Sequence, residues 1–372
     1  MQLSDSTIGL LALWLIPGLG PRRIQKLYDC FSRVESIFNA SISRLSEAAG
    51  VDNKIASLIP QALDSDSLKK ELTLIGEHQV EVLDFTQSHY PKLLKEIYNA
   101  PPVLYKKGNA DLNYGFPIAF VGSRKASFAG KNICQKLIKE ISVLKPETII
   151  VSGLALGIDS VAHNTAMDCG LKTIGVLANG LSSIYPVRNK SIADRLCENG
   201  ALITEFPMTT QPTATNFPLR NRIISGLSRG VVVVEAGERS GATITAGYAL
   251  EQNRELFALP GPADSRFYVG TNRLIQKGQA KLVMVARDIL EEFGPVNLQL
   301  SGEDLIKNHT DTTKVLSEDE LKVLSILDQG RVQKDVIVNM SGIPIQNLLP
   351  VLTNLELKGL IVCKPGTIYE KK

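Results

Sequence analysis

The 372-residue chain is 44% hydrophobic and 21% charged, which argues against disorder or a fibrous design and leaves room for two or three domains, each burying its own core. Its 41 Lys and Arg against 38 Asp and Glu leave a formal charge of only +3, so any nucleic-acid contact has to come from a local patch and not from a global field. The five cysteines (Cys30, Cys134, Cys169, Cys197 and Cys363) are widely spaced and never form a C-x-x-C pair, against a disulfide framework or a zinc site.

A reducing, cytoplasmic compartment is therefore expected. From Ser4 to about Leu74 the pattern is helical. The apolar run Ile8 to Ile16 follows Asp5, has no Lys or Arg before it and no small-residue cleavage site after it, so it reads as a buried helix and not as a secretory signal. No other apolar run approaches the length of a bilayer span, and no membrane contact is expected. The segment Ile16-Pro17-Gly18-Leu19-Gly20-Pro21-Arg22-Arg23 looks like the hairpin of a helix-hairpin-helix element. Its glycines let a turn approach a phosphate, and the next helix offers unpaired N–H groups. Arg22, Arg23 and Lys26 add charge, although an ordinary turn with a solvated basic face has the same pattern, and both readings stay open. Residues 1–76 are assigned to this helical module, of the SAM or helix-hairpin-helix type.

Between about Glu77 and Asn113 the sequence reads as a mixed linker, with Pro101-Pro102 leading into a short strand VLYKKG, packed as an extension on the next domain. From Phe116 onward strands and helices alternate. Strands are predicted at PIAFVG, TIIVSG, KTIGVL, ALITEF, GVVVVEA, ELFALPG and AKLVMV. Helices are predicted near Ser127 to Leu144, Ile158 to Cys169, Pro186 to Glu198, Phe217 to Leu227, Ala242 to Gln252 and Thr271 to Lys277, with a last one closing at about Phe293. The strands are continuous apolar runs, as expected when helices cover both faces of a parallel sheet. The fold class is α/β, a Rossmann-like doubly wound parallel sheet over residues 77–295. Residues 296–314 read as a polar tether. Residues 315–372, with three helical patterns and two strands around Pro365-Gly366, have the layout of a winged helix.

In such a sheet, ligands bind outside the carboxyl ends of the strands. The segments there are Gly122-Ser123-Arg124-Lys125, Ser152 through Asp159, and Glu235 through Thr243, all rich in glycine and phosphate-compatible groups. Together they define an anion-binding rim, with Arg124 able to hold a phosphate through two hydrogen bonds. No G-x-G-x-x-G and no G-x-x-x-x-G-K-[ST] is present, so neither a dinucleotide cofactor nor a nucleotide-hydrolysing P-loop is expected. SGLSRG precedes a strand and does not follow one, so it is no nucleophile elbow. Arg220, Asn221 and Arg222 open a helix beside Phe217, which combines backbone-neutralising charge with a ring for base stacking. A core Phe with solvated arginines has the same composition. Asp159 and His163 share one helix face without a third ligand, and a structural role is expected for both.

These segments resemble the DNA-processing protein A family. The likeness runs through VGSRKAS, SGLALGIDSVAH, GVLANGLSSIYPVRN, ITEFP, NFPLRNRIISGLS, VVVVEAGERSGATITAGYALEQNRELFALPGP and GTNRLIQKG, from Pro117 to Lys277. The resemblance implies a non-enzymatic cytoplasmic protein of natural transformation. Such a protein binds and protects single-stranded DNA, forms homodimers, and loads the recombinase RecA on strands coated by single-strand-binding protein. The implied phosphate-contacting set is Gly122, Ser123, Arg124, Arg220, Asn221 and Arg222, and the residue reading adds Phe217 and, on the rim, Ser152, Gly153, Ser240 and Gly241 to the expected DNA contacts. The implied dimer surface is Leu274, Ile275, Leu282 and Val283, residues that read equally well as core. The alternative is a nucleotide-binding or nucleoside-monophosphate-hydrolysing enzyme of the same sheet class, with Glu235 at the end of the fifth strand as its acid or base. Against it, the P-G-G-x-G-T-x-x-E loop of such enzymes is replaced here by AGERSGATITA. The winged helix carries seven basic and seven acidic residues, unlike a duplex reader, and a protein-contact or auxiliary DNA role is expected.

Overall fold

The computed structural model describes residues 3–238, 240–295, 317–328, 330–357, 359–364 and 367–371. The chain divides into two compact units, residues 1–296 and 297–372. The expected tether at 296–314 and the turn at Pro365-Gly366 lie outside the described residues.

The first unit begins with short helices: α1 (Asp5–Trp14), α2 (Pro21–Phe31), α3 (Val34–Phe38), α4 (Ile42–Ala49), α5 (Asn53–Ala56) and α6 (Asp66–Glu77). The Ser4 side chain caps α1 by accepting the Thr7 N–H, and the apolar run expected to form a buried helix does so. These helices do not stand apart from the sheet. Leu10, Leu11, Leu13 and Leu27 share one continuous core with Val82, Leu104 and Ile203 of its strands. The Thr7 hydroxyl donates to the fully buried Asp84 carboxylate at 2.6 Å, and the Trp14 indole donates to the Glu205 carbonyl at 2.7 Å. Glu71 accepts from the Met208 N–H at 2.7 Å.

The segment read as a linker contributes two strands and a short helix: β1 (Glu81–Asp84), α7 (Lys92–Lys95) and β2 (Val103–Gly108). The alternating elements are β3 (Phe116–Val121), α8 (Phe128–Leu144), β4 (Thr148–Ser152), α9 (Ile158–Asp168), β5 (Lys172–Val176) and α10 (Lys190–Asn199). They continue as β6 (Ala201–Thr204), α11 (Asn216–Gly226), β7 (Gly230–Val233), α12 (Gly241–Glu251), β8 (Glu255–Ala258), α13 (Val269–Gln276), β9 (Lys281–Leu282) and α14 (Ala286–Leu290). One nine-stranded sheet results, in the order β1-β2-β6-β5-β4-β3-β7-β8-β9. Strands β3 to β9 pair in parallel, but β2 runs antiparallel to β6, with Tyr105 opposite Thr204, and β1 runs antiparallel to β2. The sheet is therefore mixed, mostly parallel, where a purely parallel one was expected.

Both faces of the sheet are covered, and the side-chain alternation of β3 shows how. Ile118 and Phe120 pack with Leu137, Ile141 and Ile158 of α8 and α9, whereas Ala119 and Val121 pack with Ile223, Ile224 and Ala246 of α11 and α12. Strand β3 lies between β4 and β7, so the chain leaves it in one direction and returns on the other side. That reversal point is where loops part to admit a ligand.

The second unit holds helices Glu318–Leu327, Lys334–Ser341 and Ile345–Leu357 around Val323, Leu327, Ile337, Leu348 and Leu355. Ser317 and Glu320 form a capping box at the first helix. Its sheet has three strands, not two: β10 (Val332–Gln333), β11 (Ile361–Lys364) and β12 (Ile368–Lys371), with β12 in the middle. Among the described residues no single helix is long and apolar enough to cross a membrane.

Candidate nucleic-acid interface

The loops after β3, β4 and β7 and the first turns of α11 and α12 enclose a cleft of about 610 Å³. Glycine is required where the loops touch: at Gly157, φ is +82° and a Cβ would overlap the carbonyl oxygen of Ser123. The Ile158 N–H then donates to that same oxygen at 3.2 Å, fixing the loop after β3 against the start of α9. Pro218 sits in the first turn of α11, where its missing N–H costs nothing.

Gly122, Ser123, Arg124, Phe217, Arg220, Asn221, Ser240 and Gly241 all line this cleft. The exposed Arg124 guanidinium lies 4.6 Å from the centroid of the Phe217 ring, a cation–π contact, and no carboxylate among the described residues pairs with it within 4.0 Å. Tyr185, half-exposed, stands on the same ring at 6.0 Å between centroids. At the N-cap of α12 the buried Ser240 hydroxyl has no hydrogen-bond partner among the described residues. An anion in the cleft would supply the missing acceptor.

Arg220 is turned further inward than the sequence suggested. It is only 4% exposed, and its guanidinium donates to the carbonyls of Gly153 and Val176, while its Nε donates to Asn221 at 3.1 Å. Burial lowers its pKa to about 10, opposed by the neighbouring Asp159. It ties the ends of β4 and β5 to α11. Asn221 extends that tie by donating to the Gly241 carbonyl at 3.2 Å.

Two expected contact residues, Ser152 and Arg222, face elsewhere, and a third, Gly153, lies beside the cleft in a small cavity that Arg124, Tyr185 and Phe217 also line. Ser152 is fully buried and donates to the Phe120 carbonyl at 2.7 Å. The Gly153 N–H goes to Asp159 at 3.1 Å, and any Cβ there would run into the Arg220 guanidinium. Arg222 points to the opposite side of α11, where it pairs with the buried Glu205 carboxylate and donates to the Asn99 carbonyl. The physical reason is helical spacing: Phe217, Arg220, Asn221 and Ile224 make one face, Leu219 and Arg222 another.

Asp159 accepts from the N–H groups of Gly153 and Ala155; burial pushes its carboxyl up, and Arg220 draws it down. His163 is fully buried, with Nδ1 at 2.7 Å from the Thr173 hydroxyl. That hydroxyl spends its proton on the Ile150 carbonyl, so Nδ1 is the donor and Nε2 is left as a buried lone pair without a partner among the described residues. Burial holds the ring neutral, with its pKa lowered to about 3. No group of His, Cys, Asp and Glu among the described residues could hold a metal. Glu235 is also fully buried: both its oxygens are taken by the Ser127 N–H and hydroxyl, and it does not line the cleft.

On the expected dimer surface, Val283 is fully buried under the sheet, and Leu274 and Ile275 are half-buried against the core. Leu282 is 41% exposed, and the neighbouring Met284, which sequence reasoning passed over, is 64% exposed. Sequence reasoning also missed Tyr185 and Asn189. The Asn189 amide holds the loop after β4 through the carbonyls of Leu154 and Ala155, and only its place in the YPVRN stretch could have signalled it.

Three family models match: DNA recombination-mediator protein A over residues 81–294, the DprA winged helix domain over 307–367, and a SAM-like helix-hairpin-helix tandem over 11–64. The DNA processing protein DprA of Bacillus subtilis is 41% identical over 254 residues, 68% of this chain and 82% of that protein. The X-ray structure of DNA processing protein A from Streptococcus pneumoniae matches with a TM-score of 0.68 and 35% identity, covering 78% of this chain and 99% of that one. DNA processing protein A from Helicobacter pylori, described for its single-stranded DNA binding mode, matches with a TM-score of 0.52 and 28% identity, over 58% of this chain and 95% of that one. With its central sheet, helical start and winged helix all matched, this chain belongs to the DNA recombination-mediator protein A family.

Proposed function

We propose that the carboxyl edge of the sheet binds the backbone of single-stranded DNA. On this reading the protein catalyses no reaction itself. It protects incoming DNA during natural transformation and passes it, from strands coated by single-strand-binding protein, to the recombinase RecA. It works in the cytoplasm as a homodimer through the surface around Leu282. The observation that carries the DNA-binding reading is the exposed Arg124 lying across the half-buried Phe217 at the mouth of a cleft whose Ser240 hydroxyl finds no acceptor among the described residues. Charge for phosphate and a ring for stacking is the sequence-tolerant chemistry of single-strand binding. The Helicobacter pylori relative supports the same ligand class. Hydrolysis of a nucleoside monophosphate would need a free carboxylate at the end of β7, and Glu235 is committed to the start of α8.

A salt-titrated gel shift with single- and double-stranded oligonucleotides tests the proposal. Single strands are expected to bind in preference, and Arg124→Ala to weaken binding across sequences while lowering the salt slope by about 0.7, one phosphate contact. Unchanged affinity and slope in that variant would remove the cleft as the binding site.

A further inference from the structure

A second groove, of about 820 Å³, lies on the other side of α11, between it and the α1–α2 hairpin. Its cations are Arg22, Arg23, Lys26 and Arg222, and among the described residues neither Asp nor Glu lines it. Arg222 is neutralised by Glu205 and buried, so it serves as floor. Arg22, Arg23 and Lys26 are exposed, and no carboxylate among the described residues pairs with any of them within 4.0 Å. The Arg22 guanidinium lies 4.4 Å over the ring of Tyr98, which is 69% exposed and has a face to offer. Cations without acids, beside an exposed ring, repeat the chemistry of the sheet-edge cleft.

The same helix walls both grooves. Phe217, Arg220 and Asn221 face the first, Leu219 and Arg222 the second, and Leu219 between them is 46% exposed at the crest. The hairpin is held rigidly to the sheet by the shared core and by the Trp14–Glu205 bond, so the two grooves keep a fixed relation. The crest is one helix wide, about 10–12 Å, which a nucleic-acid strand crosses in about three nucleotides at B-form rise, or fewer when stretched.

We infer that one DNA strand held at the sheet edge continues over the first turn of α11 and is held again in the hairpin groove by Arg22 and Lys26. This inference rests on the single-strand reading of the sheet edge and extends its path. The exposed Leu219 gives the crossing nucleotide an apolar surface to lie on, and Tyr98 gives the next base a stacking partner.

The test is fluorescence anisotropy of the full chain with labelled oligothymidylates of increasing length, for wild type, Arg124→Ala, the pair Arg22→Glu/Lys26→Glu, and the charge-matched control Lys69→Glu/Lys70→Glu. All the reversed residues are exposed, and matching unfolding curves confirm the fold. For the shortest strands that bind, the Arg22/Lys26 variant is expected to match wild type. For longer strands wild type gains affinity that this variant does not, and its salt slope is lower by about 1.4, two phosphate contacts at roughly 0.7 each. The inference is overturned if that variant follows wild type at every length, if it loses affinity equally at the shortest length, or if the control loses as much. The sheet-edge reading fails separately, if Arg124→Ala follows wild type at every length.

Discussion

Replacing Arg222 by methionine separates a structural arginine from a DNA-binding one. In the folded chain the Arg222 guanidinium pairs with Glu205, which is 2% exposed and whose second oxygen has no hydrogen-bond partner among the described residues. Removing the cation strands a buried carboxylate, a loss of about 3–5 kcal/mol. At roughly 2 °C per kcal/mol for a unit of this size, the melting temperature should fall by about 6–10 °C. The loss should depend on pH, because burial already pushes the Glu205 carboxyl up while Arg222 pulls it back down. A carboxyl whose folded pKa exceeds its unfolded value near 4.3 holds its proton more tightly when folded, so its contribution is lost as pH rises through that window. Without Arg222 the window widens, and the deficit should be larger at about pH 8 than at about pH 5. The double variant Arg222→Met/Glu205→Gln should recover most of the stability, since no buried charge remains, and should bind short oligonucleotides as wild type does. Urea unfolding at the two pH values, together with anisotropy on the double variant, reads all of this. A loss below about 1 kcal/mol, or a stable double variant that no longer binds short strands, would refute the reasoning and return Arg222 to the contact set.

Glu235→Gln should lower stability by about 1–2 kcal/mol through a weakened start of α8, leave DNA affinity unchanged, and leave the protein as unable as wild type to release free base from nucleoside monophosphates. Base release by wild type that vanishes in the variant, monitored by chromatography, would make Glu235 catalytic. With the His163 pKa pushed down to about 3, the fold keeps this ring neutral, so its contribution is intact above about 6.5 and falls by about 1.4 kcal/mol per unit as pH drops below that. Urea midpoints of His163→Gln between about pH 6.5 and pH 4 should therefore slope less steeply than those of wild type. Leu282→Glu/Met284→Glu, both exposed, should give a monomer by light scattering with an unchanged melting temperature; a dimer that persists would put the contact elsewhere.

The parallel strands were legible because helices on both faces demand unbroken apolar runs such as Gly230 to Val234. Strand β1 was not: Glu81 and Asp84 bracket only two apolar residues, and its pairing with β2 at the sheet's edge is set by distant contacts. β10, two residues long, is too short for any period to register, whereas the equally short β9 falls inside the apolar run AKLVMV that had been read as a strand. The cleft itself could be placed from the glycine loops at the end of each strand. The directions of Arg220 and Arg222 could not be read, since their partners at Gly153, Val176, Asn99 and Glu205 are far away in the chain, although the spacing of Phe217, Leu219, Arg220 and Arg222 already divides them between two helix faces.

The first helix leans its leucines on the two antiparallel strands, and the Thr7–Asp84 bond pins the joint. A gene shortened from its 5′ end to begin after α6 would therefore yield a protein with Val82 and Tyr105 laid bare, together with a buried aspartate deprived of one of its two hydroxyl donors. The opening helices act as a buttress that keeps the far edge of the sheet from sticking to its own copies, whatever else they touch.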